Sequence, residues 1–237
     1  MFKKLKRKVF CVLMLIITLA AAGCMGAVNG AESRIEDNSS REQQVKVTVL
    51  DVGQGDALLI QTPEENIMID TGDVDEREKL LAELKKTGIQ TIDKLIITHP
   101  HADHLGGAEV VLRNYAVKAV YDNGQPTTTK LYRKYLETIK QKQITYHALY
   151  AGEILDFGGG VTFKVFSPTQ EMVKSQSDLN ANSIVGKLSY GDFSMLFTGD
   201  SEAETEKQIL AKYGSELKCN VLKSPHHGSK TSSSLKY

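Results

Sequence analysis

The chain has 237 residues, which is enough for one domain with a well-buried core. Hydrophobic residues make up 41% and charged residues 24%, both ordinary for a globular protein, while Trp is absent and aromatic residues are sparse, so no stacking surface for single-stranded nucleic acid is indicated. The formal net charge is zero, but the first 23 residues hold five basic residues and no acid; the remainder has 24 basic and 29 acidic residues, a net charge of −5, which argues against a general binder of polyanions.

The N-terminal segment has the pattern of an export signal. Residues 3–8 are mostly basic, and residues 9–22 form an apolar run of 14 residues. Such a run is short for a transmembrane helix, which needs about 20 residues, and typical of the core of a signal peptide. It ends in Ala-Ala-Gly-Cys, which resembles a bacterial lipobox, although Ala21 stands where that motif usually has Leu. We therefore expect Cys24 to carry a lipid that anchors the protein to the outer face of the bacterial cell membrane; an ordinary secreted protein and an uncleaved anchor are the alternatives.

The chain is expected to divide into a signal peptide over residues 1–23, a flexible tether over 24–44 and one folded domain over 45–237. The tether is polar and lacks periodicity. With Cys11 in the signal and Cys24 lipidated, Cys219 remains alone, so the mature domain cannot form an internal disulfide. The apolar neighbours of Cys219 predict a buried small hydrophobic residue.

Within the domain, predicted strands and helices follow one another along the chain. Alternating or continuous apolar patterns bounded by turn residues predict strands at 45–51, 57–61, 66–70, 94–98, 117–121, 153–157, 161–167, 184–190, 193–198 and 217–223. Helical spacing predicts helices at 75–86, from Gly107 to about residue 114, at 130–141 and at 202–213. Strands with interspersed helices indicate a layered α/β arrangement, in which loops at strand ends carry the functional groups.

Histidines are concentrated in a way that predicts a metal site. The chain has six histidines, and five of them lie in two short clusters: His99, His101 and His104, then His226 and His227. Imidazole and carboxylate groups are the usual ligands of zinc and similar ions. In a loop that leaves a strand, His99 and His101 can converge on one ion, while Asp103 and His104 reach a second.

The histidine clusters and their neighbours resemble the motifs of the metallo-β-lactamase superfamily. The run Thr98-His99-Pro100-His101-Ala102-Asp103-His104 resembles its metal-binding motif, and Asp70-Thr71-Gly72, Thr198-Gly199-Asp200 and Ser224-Pro225-His226-His227-Gly228-Ser229 resemble others in the expected order. The run Asp51-Val52-Gly53-Gln54-Gly55-Asp56-Ala57 is similar to that of the ComEC-type hydrolase domain of DNA-uptake competence proteins, in a free-standing form. The resemblance covers about residues 45–234 and implies a four-layer αββα sandwich.

This resemblance implies two divalent metals, zinc or manganese. We expect His99 and His101 to hold the first, Asp103, His104 and one of His226 and His227 to hold the second, and Asp200 to bridge them. His226 is favoured as the ligand and His227 as a group that contacts substrate, so the expected catalytic residues are Asp103, Asp200 and His227. Asp70 is expected to support the metal loop. Asp51 and Asp56 could orient ligand imidazoles, or the glycines around them could simply form a turn.

Two features depart from the pattern of the superfamily. Most members place a third histidine on the first metal, but no histidine lies between His147 and His226, where Asn180 and Asn182 stand instead. An Asn amide is a poorer zinc ligand than imidazole, so the first metal is expected to be weakly held or to be a harder ion such as manganese. His147 is the alternative third ligand, although its polar surroundings favour an ordinary surface histidine. Relatives also continue beyond the position of Tyr237, so the sandwich is expected to lack its C-terminal strand and helix.

The function expected from these features is that of an exported metal-dependent hydrolase. A metal lowers the pKa of bound water from about 16 to about 7, so a metal-bound hydroxide is the expected nucleophile, with Gly228 and Ser229 as donors to an oxyanion. The ComEC-type resemblance favours a phosphodiesterase or nuclease that acts on phosphodiesters such as single-stranded DNA. The alternatives are hydrolysis of a lactone, thioester or β-lactam, and a non-catalytic, truncated surface lipoprotein. The sequence does not indicate an oligomeric state.

Overall fold

The first sheet is built from short apolar strands that follow one another closely along the chain. The computed structural model describes residues 44–175 and 178–234. The six strands of this sheet are β1 Lys46–Val49, β2 Leu58–Gln61, β3 Asn66–Ile69, β4 Thr91–Ile97, β5 Ala116–Asp122 and β6 Thr145–Ala148, in that order across the sheet. β1, β2 and β3 pair antiparallel, whereas β3 to β6 run parallel. The parallel pairing brings the residues that follow β3, β4 and β5 to one edge of the sheet.

The second sheet holds the C-terminal half of the described residues. Its strands are β7 Ile154–Asp156, β8 Thr162–Ser167, β9 Val185–Tyr190, β10 Phe193–Phe197 and β11 Val221–Leu222, in the order β11-β10-β9-β8-β7. Neighbours pair antiparallel except β10 and β11, which run parallel. The loops after β10 and β11 therefore leave the sheet at the same end.

Residues 44–175 and 178–234 contain six α-helices. They are α1 Arg77–Thr87, α2 Ala102–Leu105, α3 Ala108–Asn114, α4 Lys130–Lys142, α5 Gln170–Ser175 and α6 Ala203–Tyr213. α1 ends where Gly88 adopts a left-handed conformation with φ of 75°, which costs glycine little. Thr129 caps the start of α4, because its side chain accepts a hydrogen bond from the backbone N–H of Tyr132.

The hydrophobic core lies in three layers, which confirms the predicted αββα sandwich. One face of the first sheet packs against α1, α3 and α4, and Leu59 and Met68 from the strands share one buried cluster with Leu84 from α1. Its other face packs against the second sheet, where Ile67 and Phe163 are fully or almost fully buried. The outer face of the second sheet packs against α6.

The predicted strand over 217–223 is largely wrong. Leu217 ends a 3-10 turn, Gly214–Leu217, because its side chain packs under α6, and only Val221–Leu222 pair with β10. Cys219 is free and half-buried against the same core layer, less enclosed than predicted. β6, α2 and α5 were not predicted; β6 has the exposed, non-alternating sequence Thr-Tyr-His-Ala, which carries no strand pattern.

The predicted signal peptide, Cys24 and nearly all of the tether lie outside the described residues. Within residues 44–175 and 178–234, no helix is long and apolar enough to cross a membrane.

Candidate metal centre

The first cluster of histidines follows the buried strand β4. His99 and His104 are fully buried, and His101 and Asp103 are partly buried. Asp70, which follows the neighbouring strand β3, accepts hydrogen bonds from the backbone N–H and the hydroxyl of Thr98, both at 2.7 Å. Its Oδ2 also lies 2.8 Å from Nδ1 of His104. The buried Asp70 carboxylate therefore fixes both the start of the loop and the orientation of its last imidazole.

The second sheet contributes Asp200, which lies at the centre of the site. Gly199 turns the chain after β10 with φ of 50°, and a Cβ there would lie 2.9 Å from Cβ of Ser183. Oδ1 of Asp200 lies 3.1 Å from Nε2 of His104. Oδ2 of Asp200 faces three other imidazoles, at 3.4 Å from Nε2 of His227 and at 3.9 Å from Nε2 of both His99 and His226. One carboxylate thus contacts histidines from both clusters.

The final pair of histidines adopts an unusual backbone. His226 has φ 49° and ψ 48°, and His227 has φ 52° and ψ 25°, so two consecutive residues with side chains are left-handed. Each such residue costs about 1–2 kcal/mol, a cost that surrounding contacts must offset. Nε2 of His227 lies 3.2 Å from Oδ2 of Asp103, whereas Nδ1 of His226 lies 3.2 Å from Oε1 of Glu202. Both rings also face Asp200, so each imidazole lies between that shared carboxylate and a second one of its own.

The donor set fits a divalent cation. Asp56, His104, Asp200 and His227 each offer one ligand atom, and these atoms all lie within 4.8 Å of one another. Ligand atoms bonded to a tetrahedral zinc at about 2.1 Å lie roughly 3.4 Å apart. The buried atoms His104 Nε2 and Asp200 Oδ1 lie 3.1 Å apart, yet each lacks an aligned hydrogen-bond partner among the described residues. Buried polar atoms are rarely left so, and a cation between them would satisfy both.

The carboxylates make this pocket strongly attractive to positive charge. The hydrogen bond to His227 holds the pKa of Asp103 down at about 2, and the carboxylates of Asp103 and Asp200 raise the pKa of His227 to about 9. Burial opposes the protonation of His104, but Asp70 and Asp200 outweigh it and raise its pKa to about 10. Burial lowers the pKa of His99 well below its ordinary value. The acids thus draw protons onto the same imidazole nitrogens that would bind a metal.

Asp56 lies behind the imidazoles rather than among the inner ligand atoms. Its oxygens approach Nδ1 of His227 at 3.7 Å and Nδ1 of His104 at 3.9 Å, while the Nε2 atoms of both rings face Asp103 and Asp200. The ammonium of Lys223 pairs with Oδ2 of Asp56. Although Asp56 is close enough to be counted with the ligands, its position suits a group that orients them.

Two residues of this site were missed in the sequence analysis, Lys223 and Glu202. Both stand within two residues of a recognised motif, Lys223 just before Ser224 and Glu202 just after Asp200, and that proximity was the available signal. Lysine is not a usual metal ligand, and a single Glu after a strand is too common to indicate a metal site by itself.

The remaining predicted site residues are Asn180, Asn182 and Asp51. Nδ2 of Asn180 lies 3.5 Å from Nε2 of His226, and its buried Oδ1 lacks a hydrogen-bond partner among the described residues. Asn182 is buried and donates its amide N–H to Gln125 at 3.0 Å, so that group faces the loop after β5. Asp51 lies outside the site: its side chain is 74% exposed and pairs with Lys79 at 2.6 Å.

Ser229 and His147 are the last two residues to which the sequence analysis gave a role. The N–H of Ser229 donates to the carbonyl of His226 at 2.8 Å, so this N–H is occupied; the role of Gly228 and of the Ser229 hydroxyl as oxyanion donors stays a prediction. His147 is exposed on β6 and stacks on Tyr121, as a surface histidine does.

Comparison with known proteins places the chain in a family. The family model described as metallo-beta-lactamase superfamily matches residues 50–236. ComE operon protein 3 of Bacillus subtilis is 30% identical over 205 residues, covering 79% of this chain and 26% of that protein. Competence protein ComA of Neisseria gonorrhoeae is 31% identical over 196 residues, covering 81% of this chain and 25% of that protein. The chain thus spans about a quarter of the length of these relatives.

Two more distant matches bear on chemistry and fold. Exodeoxyribonuclease WalJ of Streptococcus pneumoniae is 26% identical over 133 residues, covering 55% of this chain and 48% of that protein. The solved structure of MEM-A1, a subclass B3 metallo-beta-lactamase from a soil metagenome library, has a TM-score of 0.54 at 17% identity and covers 77% of each chain. At that identity the likeness establishes the fold.

Proposed function

Because the chain belongs to the metallo-β-lactamase superfamily, we propose that it is a metal-dependent hydrolase of phosphodiester bonds, with single-stranded DNA as a candidate substrate. The observation that carries this proposal is the convergence on Asp200: two oxygens of one carboxylate contact imidazoles from the loop after β4 and from the loop after β11. A surface protein without catalysis has no need to bury so many ionisable groups together.

The ligand set divides into two groups around Asp200. His99 and His101, whose Nε2 and Nδ1 atoms lie 3.0 Å apart, would hold one cation. Asp103, His104 and His227 would hold a second, because Oδ2 of Asp103 lies 3.8 Å from Nε2 of His104 and 3.2 Å from Nε2 of His227. Zinc or manganese bound there would polarise the scissile phosphate and lower the pKa of a water molecule.

The chain's own residues supply orientation and charge. Asp70 and Asp56 flank the Nδ1 atoms of His104 and His227, which fixes the direction in which each Nε2 points. Asp103 and Asp200 keep their negative charge because neighbouring imidazoles lower their pKa values. Asp103 has a side chain that is 36% exposed, so it lies where the site opens towards solvent and substrate.

The choice of phosphodiesters rests on the relatives. One of them is named a competence protein and another is named an exodeoxyribonuclease. The net charge of −5 after residue 23 means that cations at the site must provide much of the attraction for a phosphate backbone. We propose in addition that the chain is exported and anchored through lipidated Cys24, so that it acts outside the cell membrane.

A substrate panel tests this proposal. The purified full chain, loaded with zinc or manganese, is assayed on a model phosphodiester, single-stranded DNA, a lactone and a chromogenic β-lactam. We expect turnover of the phosphodiester and DNA, and loss of that turnover in the variants Asp103→Ala and His101→Ala. His147→Ala, which removes an exposed histidine, is the matched control and should keep full activity. Turnover of the lactone or β-lactam alone would show that these, and not phosphodiesters, are the substrate class. Metal-loaded protein without any turnover would overturn the proposal.

A further inference from the structure

We propose that the outer face of helix α4 binds the phosphate backbone of a polynucleotide whose scissile bond lies in the metal centre. The groups that make this contact are Lys130, Arg133 and Lys140, named here the α4 basic face, and all three are exposed. The inference rests on the proposed function, because it requires a polyanionic substrate that extends beyond the scissile phosphate.

Positive charge is concentrated on α4. The helix holds five basic residues and one acidic residue, whereas the other residues after residue 23 hold 19 basic and 28 acidic residues. A chain that repels polyanions as a whole therefore carries an element that attracts them. Such an asymmetry directs an anionic polymer to one side of the domain.

The α4 basic face is available to a ligand. Helical geometry places Arg133 and Lys140 within about 80° of Lys130 around the helix axis, so the three side chains project from one side. None of the three forms an ion pair with a carboxylate of the described residues. Lys134 differs, because its ammonium pairs with Glu109 at 3.0 Å. Three uncompensated cations therefore remain on this face of the helix.

These charges do not serve the stability of the helix. The N-terminal turn of a helix has unpaired N–H groups and a positive dipole end, so basic residues there are unfavourable. α4 has no acid in its first turn; Lys130 is its first residue and Arg133 its fourth. Glu137 follows Arg133 by four residues, the less favourable order for such a pair, and these two side chains form no ion pair. An anionic ligand would account for basic residues at a position where they disfavour the helix.

The loop that leads into α4 is tied to the metal centre. Nδ2 of Asn123, in the loop after β5, donates to the carbonyl of Asn182 at 2.9 Å. Two residues before Asn182, Nδ2 of Asn180 lies 3.5 Å from Nε2 of His226. The start of α4 is thus connected through two short segments to an imidazole of the site.

A groove lies between the metal centre and the start of α4. It has a volume of about 530 Å³ and is bounded by the loop before α4 and the C-terminal end of α5, with Thr128, Lys174 and Leu179 in its walls. Leu179 adjoins Asn180 of the site, and Thr128 stands two residues before Lys130. The hydroxyl and the ammonium would bind phosphate or sugar oxygens. A strand that leaves the metal centre can follow this groove to the α4 basic face.

The burial of α4 favours a polynucleotide backbone over an anionic lipid surface. A helix that binds lipid places its apolar face in the membrane interface. The apolar face of α4 instead lies in the core, where Tyr135 and Ile139 are 1% and 5% exposed. Tyr132, the other aromatic residue of α4, is buried as well, so this helix offers no ring for base stacking. Binding is therefore expected to depend on phosphates and not on base sequence.

Charge-matched variants test this surface. The metal-loaded full chain binds a labelled, hydrolysis-resistant phosphorothioate single strand, and fluorescence anisotropy is followed between about 50 and 200 mM salt. Loss of three phosphate contacts should weaken binding about 10- to 100-fold and reduce the slope of log affinity against log salt by about 2. The test variant combines Lys130→Ala, Arg133→Ala and Lys140→Ala. The control removes the same charge from exposed positions on α6 and the turn after it, and should bind like wild type; it combines Lys207→Ala, Lys212→Ala and Lys218→Ala.

Turnover separates this inference from the proposed function. For the test variant, kcat/KM on DNA relative to kcat/KM on a small model phosphodiester, which is too short to reach α4, should fall by a similar factor, mainly through KM. Its thermal midpoint should not fall, because the helix dipole is relieved.

Equal DNA affinity in the test and control variants would overturn the inference and leave the proposed function intact. A test variant that loses binding to phosphatidylglycerol vesicles but keeps DNA binding would also overturn it. Wild type that turns over no phosphodiester, yet binds DNA through α4, would remove the proposed function alone.

Discussion

The ammonium of Lys223 pairs with the carboxylate of Asp56, and this contact joins the loop after β11 to the loop between β1 and β2. The side chains are 13% and 14% exposed, so the pair is nearly enclosed. Lys223 also donates to the carbonyl of Gly199 at 3.2 Å, next to Asp200. The pair therefore links the two sheets immediately behind the metal centre.

Lys223→Met is expected to destabilise the protein, because Asp56 would be left as an enclosed carboxylate without its cation. The expected loss is about 2 kcal/mol in the free energy of unfolding, measured by urea titration with a chelator present. Lys79→Met is the matched control, since Lys79 pairs with the exposed Asp51 and should give no measurable change. Adding Asp56→Asn to Lys223→Met should restore part of the loss; equal stability of Lys223→Met and wild type would contradict the prediction.

Asp70→Asn is expected to weaken metal binding by about 10- to 100-fold, because the imidazole of His104 loses the carboxylate that fixes its orientation. The measurement is a calorimetric zinc titration. Asp122→Asn serves as the control: Asp122 is also buried, at the end of a parallel strand, but it accepts hydrogen bonds from the hydroxyls of Tyr135 and Tyr146 rather than from a histidine of the site. Equal losses of affinity in both variants would show that a general loosening of the fold, not orientation, is responsible.

Gly55→Ala is expected to displace the metal loop, because a Cβ there would lie 2.5 Å from the carbonyl oxygen of Asp103. Overpacking of this kind costs about 1–3 kcal/mol, and we expect zinc affinity to fall with it. Gly160→Ala provides the comparison: it has φ of 79° and open space around its Cβ position, so it should lose about 1 kcal/mol by backbone strain and no zinc affinity. A Gly55→Ala protein with wild-type zinc affinity would refute this account of the loop.

Asp93 is expected to stabilise the fold in a pH-dependent way. Burial opposes its ionisation, but the Lys118 ammonium at 2.6 Å and the Asn66 N–H at 2.8 Å outweigh it and hold the pKa below the usual range. A carboxyl whose pKa is lower in the folded state stabilises the protein above its unfolded pKa, and that stability is lost as pH falls through the folded pKa. Asp93→Asn should therefore be less stable than wild type at pH 7, and this difference in the free energy of unfolding should be smaller at pH 3. A gap in urea midpoints that stays constant with pH would rule this out.

The parts of the fold and site that depend on residues close together in the sequence could be predicted from it. The buried run of β4 and the motif from Thr98 to His104 are continuous in sequence, so strand and ligands could be assigned together. The support given by Asp70 was expected from its motif, and the structure shows the bonds.

The features of the fold and site that could not be predicted depend on contacts between residues far apart in the sequence. Asp51 and Asp56 lie in one short run with similar surroundings, yet one pairs with Lys79 at the surface and the other with Lys223 from the far end of the chain. Likewise, the choice between His226 and His227 depends on backbone angles that neighbouring residue types do not specify. The predicted length of the strand around Val221 was wrong because Leu217 packs under α6.

The ligand groups are drawn from both sheets, since His99 to His104 follow β4 whereas Asp200, His226 and His227 follow strands of the other sheet. Bound cations would therefore act as a cross-link between the two halves of the domain, and loading and folding would be thermodynamically coupled. Each tenfold rise of free metal above its dissociation constant would add about 1.4 kcal/mol to the free energy of unfolding. The same ions would then contribute both to the proposed hydrolysis and to resistance against proteolysis of the unfolded chain.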